Sequence, residues 1–264
     1  MRLAVTTPLH PAQPDIEAAL RAAERYGIPY VARGNRALSR AIAEVGAEAA
    51  LVLSKERSVL SAGGAEHAWS PGMGALRLKR YLDARAGKPG HPTAHDPFLD
   101  AAGIRPGDAV LDCTAGLGAD ALVAAAAAGP GGRVLALESS QALAAWTGEG
   151  LRRFAAEAAR RVEVRHADHG EFLARTGAGS FDVVVFDPMF RHARAEPGGF
   201  DVVRRLSDPR PLSPEALAAA RRVARRWVVV KDGAPGWDLA RLGLSPMASA
   251  RGAHRYYARV EAGG

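Results

Sequence analysis

Four residues carry the most specific chemistry in this chain: Asp187-Pro188-Met189-Phe190, placed directly after the apolar run Val183-Val184-Val185-Phe186. An exocyclic amine on a nucleobase is a poor nucleophile because its lone pair is delocalised into the ring. A protein acting on one must orient it and accept its N–H bonds. Asp187 and the Pro188 carbonyl can accept such bonds and stabilise the positive charge that grows on nitrogen. Phe190 can stack on the base and hold it flat. A proline turn beside a core phenylalanine would account for Pro188 and Phe190, but not for a carboxylate at the end of a strand. Asp187, Pro188 and Phe190 are therefore the candidate catalytic set.

A second constellation lies upstream. Asp112-Cys113-Thr114-Ala115-Gly116-Leu117-Gly118-Ala119-Asp120 follows an apolar strand and opens a helix. Its glycines let the backbone approach a ligand, and the helix N-terminus offers free N–H donors. Gly116 to Ala121 also satisfies the G-x-G-x-x-G/A dinucleotide fingerprint, which keeps a nucleotide-binding oxidoreductase among the readings. Asp112 weighs against it, because a carboxylate beside a pyrophosphate is repelled in a partly buried site. The same carboxylate suits the cationic methionine end of S-adenosylmethionine. Glu138, 20 residues after Gly118, stands at the end of the next strand, where it can accept both ribose hydroxyls; both cofactor readings predict it. Asp168 follows a third strand in Arg165-His166-Ala167-Asp168-His169. It reads either as a partner for an adenine amino group or as a solvated loop aspartate.

The elements that must position these residues alternate between apolar β runs and helical segments, the pattern of a parallel doubly wound α/β sheet. The expected strands are Ala109–Cys113, Arg133–Glu138, Val162–His166, Val183–Asp187 and Trp227–Lys231. Leu244–Ala248 and Arg255–Val260, separated by residues 249 to 253, are expected to form a terminal antiparallel hairpin. Nearer the N-terminus, Leu3–Thr6 and Pro29–Val31 read as short strands flanking an amphipathic helix in which Ile16, Ala19, Leu20 and Ala23 share a face. A helix over Ala37–Val45, the run Ala49–Leu53 and two further short strands complete a small α/β unit. Gly and Pro concentrate between Ala84 and Pro92, which places a linker there and divides the chain into a basic unit at 1–90 and a catalytic domain at 91–264.

Taken together, Asp112 to Asp120, Glu138, Asp187 to Phe190 and Val228-Val229-Val230-Lys231 resemble the RsmJ-type bacterial methyltransferases that act on guanine N2 of small-subunit ribosomal RNA. The Asp-Pro-Met-Phe loop resembles the (D/N)-P-P-(Y/F) loop of amino-directed methyltransferases. The resemblance implies a class I methyltransferase fold, S-adenosylmethionine as methyl donor and a guanine amine as acceptor. It also implies cofactor contacts from Ala119, Asp120, Glu138, Ser139, Asp168, His169 and Asp187, beside Asp112, Thr114, Ala115, Gly116 and Gly118 of the glycine loop. Several positions depart from the family. Ala119 and Ser139 stand where it usually shows arginines, Arg191 where proline is usual, and Asp232 where a basic residue is usual. The chain thus reads as a divergent branch.

Composition bounds the partners. The net charge of +7 and a pI near 10.0 fit a nucleic-acid binder. Residues 1 to 94 hold 13 basic and 8 acidic side chains, whereas residues 95 to 264 hold 22 and 20, so the excess concentrates in the N-terminal third. Arg77, Lys79 and Arg80, near Trp69 and Tyr81, mix cations with aromatics as single-stranded RNA requires. Arg191, Arg204 and Arg205 are candidates for gripping phosphates at the rim of the site. Arg221 to Arg226 read better as a solvated helix face. Cys113, the lone cysteine, excludes an internal disulfide and reads as a buried filler. The eight histidines show no metal-ligand spacing, so no metal is expected. No apolar run is long enough to span a bilayer, and a cytoplasmic location is expected. Methyl transfer to RNA is the favoured reading. The alternatives are methyl transfer to DNA or a small molecule and, less favoured, hydride transfer.

Overall fold

The computed structural model describes residues 1–90, 95–188, 200–247 and 254–263. The chain opens with β1 (Leu3–Thr6), α1 (Gln13–Tyr26), α2 (Leu38–Ala43), β2 (Ala49–Leu53), β3 (Ser58–Ala62) and β4 (Ala65–Ala68), whose strands form one sheet in the order β1-β2-β3-β4. β1 and β2 are parallel, and the other pairs antiparallel. Pro29–Val31, expected as a strand, makes only one parallel bridge, Val5 to Tyr30.

The helix α1 also differs in its buried face. Asp15, Ala19, Ala22 and Tyr26 point inward, and Leu20 is 48% exposed. Asp15 sets this rotation, since its carboxylate accepts the backbone N–H groups of Ala12 at 2.9 Å and Lys55 at 2.6 Å. Two backbone donors needing an acceptor outweigh the burial of one leucine.

A long helix, α3 (Met73–Arg85), and a short one, α4 (Pro97–Ala102), lead to the second sheet. There follow β5 (Ala109–Asp112), α5 (Ala119–Ala128), β6 (Arg133–Glu138), α6 (Gln141–Arg153), β7 (Val162–His166), α7 (His169–Arg175) and β8 (Phe181–Phe186). Then come α8 (Phe200–Leu206), α9 (Pro214–Val223), β9 (Ala224–Gly233), α10 (Trp237–Arg241) and β10 (Arg255–Glu261). The sheet order is β10-β9-β8-β5-β6-β7, with β5 to β9 parallel and β10 antiparallel to β9. This is the expected class I Rossmann-like sheet. The terminal hairpin differs. Leu244–Met247 forms no strand: Met247 N–H bonds the Tyr257 carbonyl of β10 at 2.7 Å and Leu244 N–H the Leu239 carbonyl at 2.9 Å, while residue 248 lies outside the described residues. β10 pairs directly with β9 over seven residues, which lengthens β9 beyond the expected Trp227–Lys231.

From the central strand β5 the chain winds one way to β6 and β7, then returns to β8 on the other side. That reversal opens a crevice at the carboxyl ends of β5 and β8.

The helix α6 joins the two sheets. Every residue from Ala142 to Leu151 is buried, because one face packs on the second sheet and the other on β2, β3 and α1. Gly148 and Gly150 make this possible: an added Cβ would lie 1.9 Å from the Tyr26 hydroxyl and 2.0 Å from the Trp69 ring. Ser58 and Trp146 exchange hydrogen bonds across the seam, and one hydrophobic core runs continuously from Leu3, Val5 and Leu51 to Val110 and Val185. Among the described residues no helix is long and apolar enough to cross a membrane.

Candidate functional site

The end of β5 and the turn after it shape one wall of the crevice. Asp112 is buried, and its carboxylate accepts the Thr114 N–H at 3.0 Å. Burial pushes its pKa up to about 7 against the pull of that bond, so near neutrality it is balanced between its two states. Thr114 Oγ1 accepts the Asp187 N–H at 2.6 Å and ties the β5 turn to the β8 turn. The Ala115 N–H bonds the Leu137 carbonyl at 2.8 Å. Gly116 and Gly118 both have positive φ, as the turn into α5 demands. They differ in their surroundings. A Cβ on Gly116 meets open space, whereas one on Gly118 would lie 3.0 Å from Leu151 and 3.2 Å from Thr147.

Glu138 ends β6 with both oxygens anchored, accepting the Gly116 N–H at 3.0 Å and the Ser140 N–H at 2.9 Å. Burial raises its pKa. Each oxygen has a further lone pair free for a hydroxyl, which is what recognition of a ribose diol requires. Asp112, Glu138 and the glycine turn thus fit S-adenosylmethionine: acceptors for a diol on one side, and carboxylates for a cationic amino-acid end on the other.

Behind Asp187 runs a buried chain of alternating charge. Lys231 of β9 places Nζ 3.2 Å from Asp120 Oδ2 and in hydrogen-bond contact with Asp187 Oδ2. Arg77 of α3 reaches Asp120 Oδ1 at 2.5 Å and grips both oxygens of Asp96, Nε at 2.7 Å and Nη2 at 3.0 Å. Desolvation works to raise the Asp120 pKa, yet Lys231 and Arg77 overcome it and hold the carboxyl at about 2. Desolvation also acts on Lys231, and there too the carboxylates win, so its ammonium is more basic than usual. Asp187 is shifted the other way. Burial raises it, with Asp120 adding to the effect and Lys231 opposing. Its side chain stays 28% exposed, which leaves an oxygen for a ligand.

The sequence-derived residues separate here. Thr114, Gly116, Glu138, Asp187 and Pro188 line the crevice, a cleft of about 550 Å³ open to solvent, while Asp112, Ala115 and Gly118 are buried behind it in the same turn. Ser139 and His169 line it, His169 edge-on to Phe186 at 5.5 Å with its pKa lowered by burial. Asp168 caps α7 through the Glu171 N–H and pairs with Arg210 at 2.7 Å. Ala119 sits under α3, whose backbone at Gly74 is so close that a Cβ there would lie 2.8 Å from Ala119 Cα. A small residue is therefore required at 119. Asp120 faces Lys231 and Arg77.

Of the docking cations, Arg77 turns inward to Asp96 and Asp120, and exposed Lys79 pairs with Asp83 at 2.5 Å. Arg80 on α3 and Arg204 and Arg205 on α8 are exposed. Phe190 and Arg191 lie outside the described residues. Reasoning from sequence missed Asp96, Ser207, Asp208, Arg210 and Arg255, and met Lys231 only as part of a strand. Ser207, Asp208 and Arg210 reach the cleft from the segment after α8, where no periodicity marks them. The Arg255 charge acts on Asp187 from the first residue of β10.

Comparison with known proteins agrees with this geometry. A family model described as "Putative SAM-dependent methyltransferase" matches residues 88–256. The uncharacterized protein YpiP of Bacillus subtilis is 31% identical over 235 residues, covering 86% of this chain and 88% of that protein. Ribosomal RNA small subunit methyltransferase J of Laribacter hongkongensis is 36% identical over 171 residues, which is 60% of this chain and 56% of that protein's length. A solved SAM-dependent methyltransferase from Neisseria gonorrhoeae shares the fold, with a TM-score of 0.61 at 19% identity over 99% of this chain and 96% of that one. With the crevice, the acidic strand ends and a family match over more than half its length, the chain belongs to the class I S-adenosylmethionine-dependent methyltransferases.

Proposed function

We propose that this methyltransferase acts on the exocyclic amine of a base, guanine N2, in small-subunit ribosomal RNA. The observation that carries the reading is Asp187, a partly exposed carboxylate at the mouth of the cleft, backed by Lys231 and aligned by the bond from its own N–H to Thr114. In support, relatives named ribosomal RNA small subunit methyltransferase J match a little over half of this chain.

Asp112, Glu138 and the Gly116 to Gly118 turn would hold S-adenosylmethionine, which would supply an electrophilic methyl carbon on a sulfonium. Asp187 and the Pro188 carbonyl accept the two N–H bonds of the amine and aim its lone pair. As nitrogen bonds the methyl carbon, the carbon–sulfur bond breaks and its electron pair stays on sulfur as a neutral thioether; Asp187 stabilises the charge gained by nitrogen and receives the proton that nitrogen sheds. Lys231 favours the ionised form of Asp187, opposing the burial that raises its pKa. Residues 1–90 serve as the docking unit and 91–264 as the catalytic domain, with Lys79, Arg80, Arg204 and Arg205 meeting phosphates and Phe190 stacking on the base. Acting on RNA, the enzyme works in the cytoplasm.

The test is transfer of labelled methyl from S-adenosylmethionine to small ribosomal subunits, free ribosomal RNA and DNA in parallel, followed by nucleoside digestion. Label in N2-methylguanosine of the RNA is expected. Label only in DNA, or only in small molecules, would sink the RNA assignment.

A further inference from the structure

We propose that Arg77 is a positioning residue for methyl transfer: from α3, ahead of the second sheet, its guanidinium fixes Asp120 and thereby sets where Lys231 presents its ammonium to Asp187. The proposal rests on the reading of Asp187 as the amine acceptor.

Each link in the chain uses a different atom. Asp96 is immobilised first, as the N-cap of α4, accepting the Phe98 and Leu99 N–H groups, both at 3.1 Å. Arg77 binds it with two nitrogens in the bidentate geometry that only a guanidinium offers, and the third nitrogen takes Asp120 Oδ1. Asp120 then has one oxygen, Oδ2, for Lys231, which holds Asp187 with the same ammonium. Arg77 and Lys231 have side chains only 20% and 10% exposed, so neither link is diluted by water. Without Arg77, Asp120 would keep an unpartnered buried oxygen and draw Lys231 away from Asp187. The close seat of Gly74 on Ala119 brings α3 within reach, which explains why these two positions are small.

A guanidinium spent on two protein carboxylates is not offered to phosphate. Arg77 therefore acts on turnover and not on RNA affinity. The charged and titratable groups facing Asp187 are Lys231 on β9, Asp120 on α5, Asp112 on β5, and Arg255 and Tyr257 on β10. Removing Arg77 leaves Asp120 less compensated, so protonation of Asp187 moves to higher pH.

The experiment compares full-length Arg77→Met and Arg77→Lys with the parent for melting temperature, S-adenosylmethionine binding by calorimetry, kcat, RNA KM and the pH profile of kcat. We expect both variants to bind cofactor and RNA nearly as the parent does. Arg77→Met should lose about ten- to hundredfold in kcat, as displacement of a reacting group does, with the acidic limb of the profile moved to higher pH. Arg77→Lys, which keeps the charge but not the fork, should fall between. A parental kcat in Arg77→Met, a loss confined to KM, or a loss that vanishes once activity is scaled to folded protein would each overturn the role. Asp187→Ala separates the two claims. If it methylates normally, the acceptor reading fails and takes this one with it; if it is inactive while Arg77→Met is normal, only the role of Arg77 fails.

Discussion

The protein holds two clusters of buried charge that are composed in opposite ways. On α6, Glu149 is buried among Arg25, Arg152 and Arg153, with contacts of 2.5, 3.6 and 2.8 Å. Beside the crevice, Asp96, Asp120 and Asp187 pair with Arg77 and Lys231, and Asp112 feels the Lys231 charge. The first has one carboxylate for three guanidiniums, joins α1 to α6 and lines no part of the cleft. The second has more acid than base: Asp112 and Asp187 stand at the carboxyl ends of parallel strands, Asp120 in the first turn of α5 and Asp96 at the cap of α4. A surplus of cation inside a packed seam staples two elements. A surplus of carboxylate beside an open crevice favours a cationic ligand there.

The largest effect should come from breaking the staple. Glu149→Ala leaves three arginines around an empty acceptor, one of them with a side chain only 9% exposed, and should lower unfolding free energy by about 3 to 5 kcal/mol, read by denaturant titration. Activity per folded molecule should survive. An unfolding midpoint unchanged by Glu149→Ala would erase the distinction between the clusters.

Next is Asp187→Ala, which should leave stability close to the parent but raise the barrier by about 3 kcal/mol, roughly a hundredfold or more in kcat. Asp187→Asn keeps one acceptor oxygen and should recover part of the rate. An inactive Asn variant that binds cofactor normally would show that the charge itself is needed.

A smaller effect concerns pH. The Asp112 carboxyl has its pKa raised to about 7, so it is protonated below neutrality and anionic above. If it faces the cationic end of the cofactor, affinity should increase as pH rises from about 6 to 8, by no more than about tenfold per unit because one proton is released. Calorimetry on Asp112→Asn should give a flatter profile; the same slope in both would place the titrating group elsewhere.

The smallest effect belongs to the exposed cations. Arg204→Ala with Arg205→Ala should weaken RNA binding without touching kcat and should reduce the salt slope by about one to two. Truncation to a chain beginning near His95 tests docking poorly, because it would strip β2, β3 and α1 from the buried face of α6.

Much of the second sheet was legible in advance for a physical reason. Arg133–Glu138 and Val162–His166 match β6 and β7 residue for residue, and Val183 to Phe186 lies inside β8. β6 and β8, inside the sheet, are buried on both faces and appear as short apolar runs between turn signals, whereas β7, at the edge, shows instead the alternation of Val162 and Val164 with polar residues. Asp112, Glu138 and Asp187 were legible because position at a strand end is itself a local property. The α1 face was misjudged because Leu20 is apolar, while the bond from Lys55 that holds Asp15 inward joins residues 40 apart in the chain. α3 was visible only as a basic stretch leading to a linker, since its charges conceal the face that packs on α5.

By itself, then, the sequence determined a parallel α/β sheet, the glycine turn, and the acidic strand ends that suit a cationic cofactor. These follow from burial periodicity and turn chemistry over a few residues. Only the tertiary structure decided that Arg77 faces inward, that Lys231 is shared by Asp120 and Asp187, and that α6 is buried between two sheets. Those outcomes depend on contacts between residues 43 to 124 positions apart, and such pairings leave no local pattern because their geometry exists only once both elements have packed.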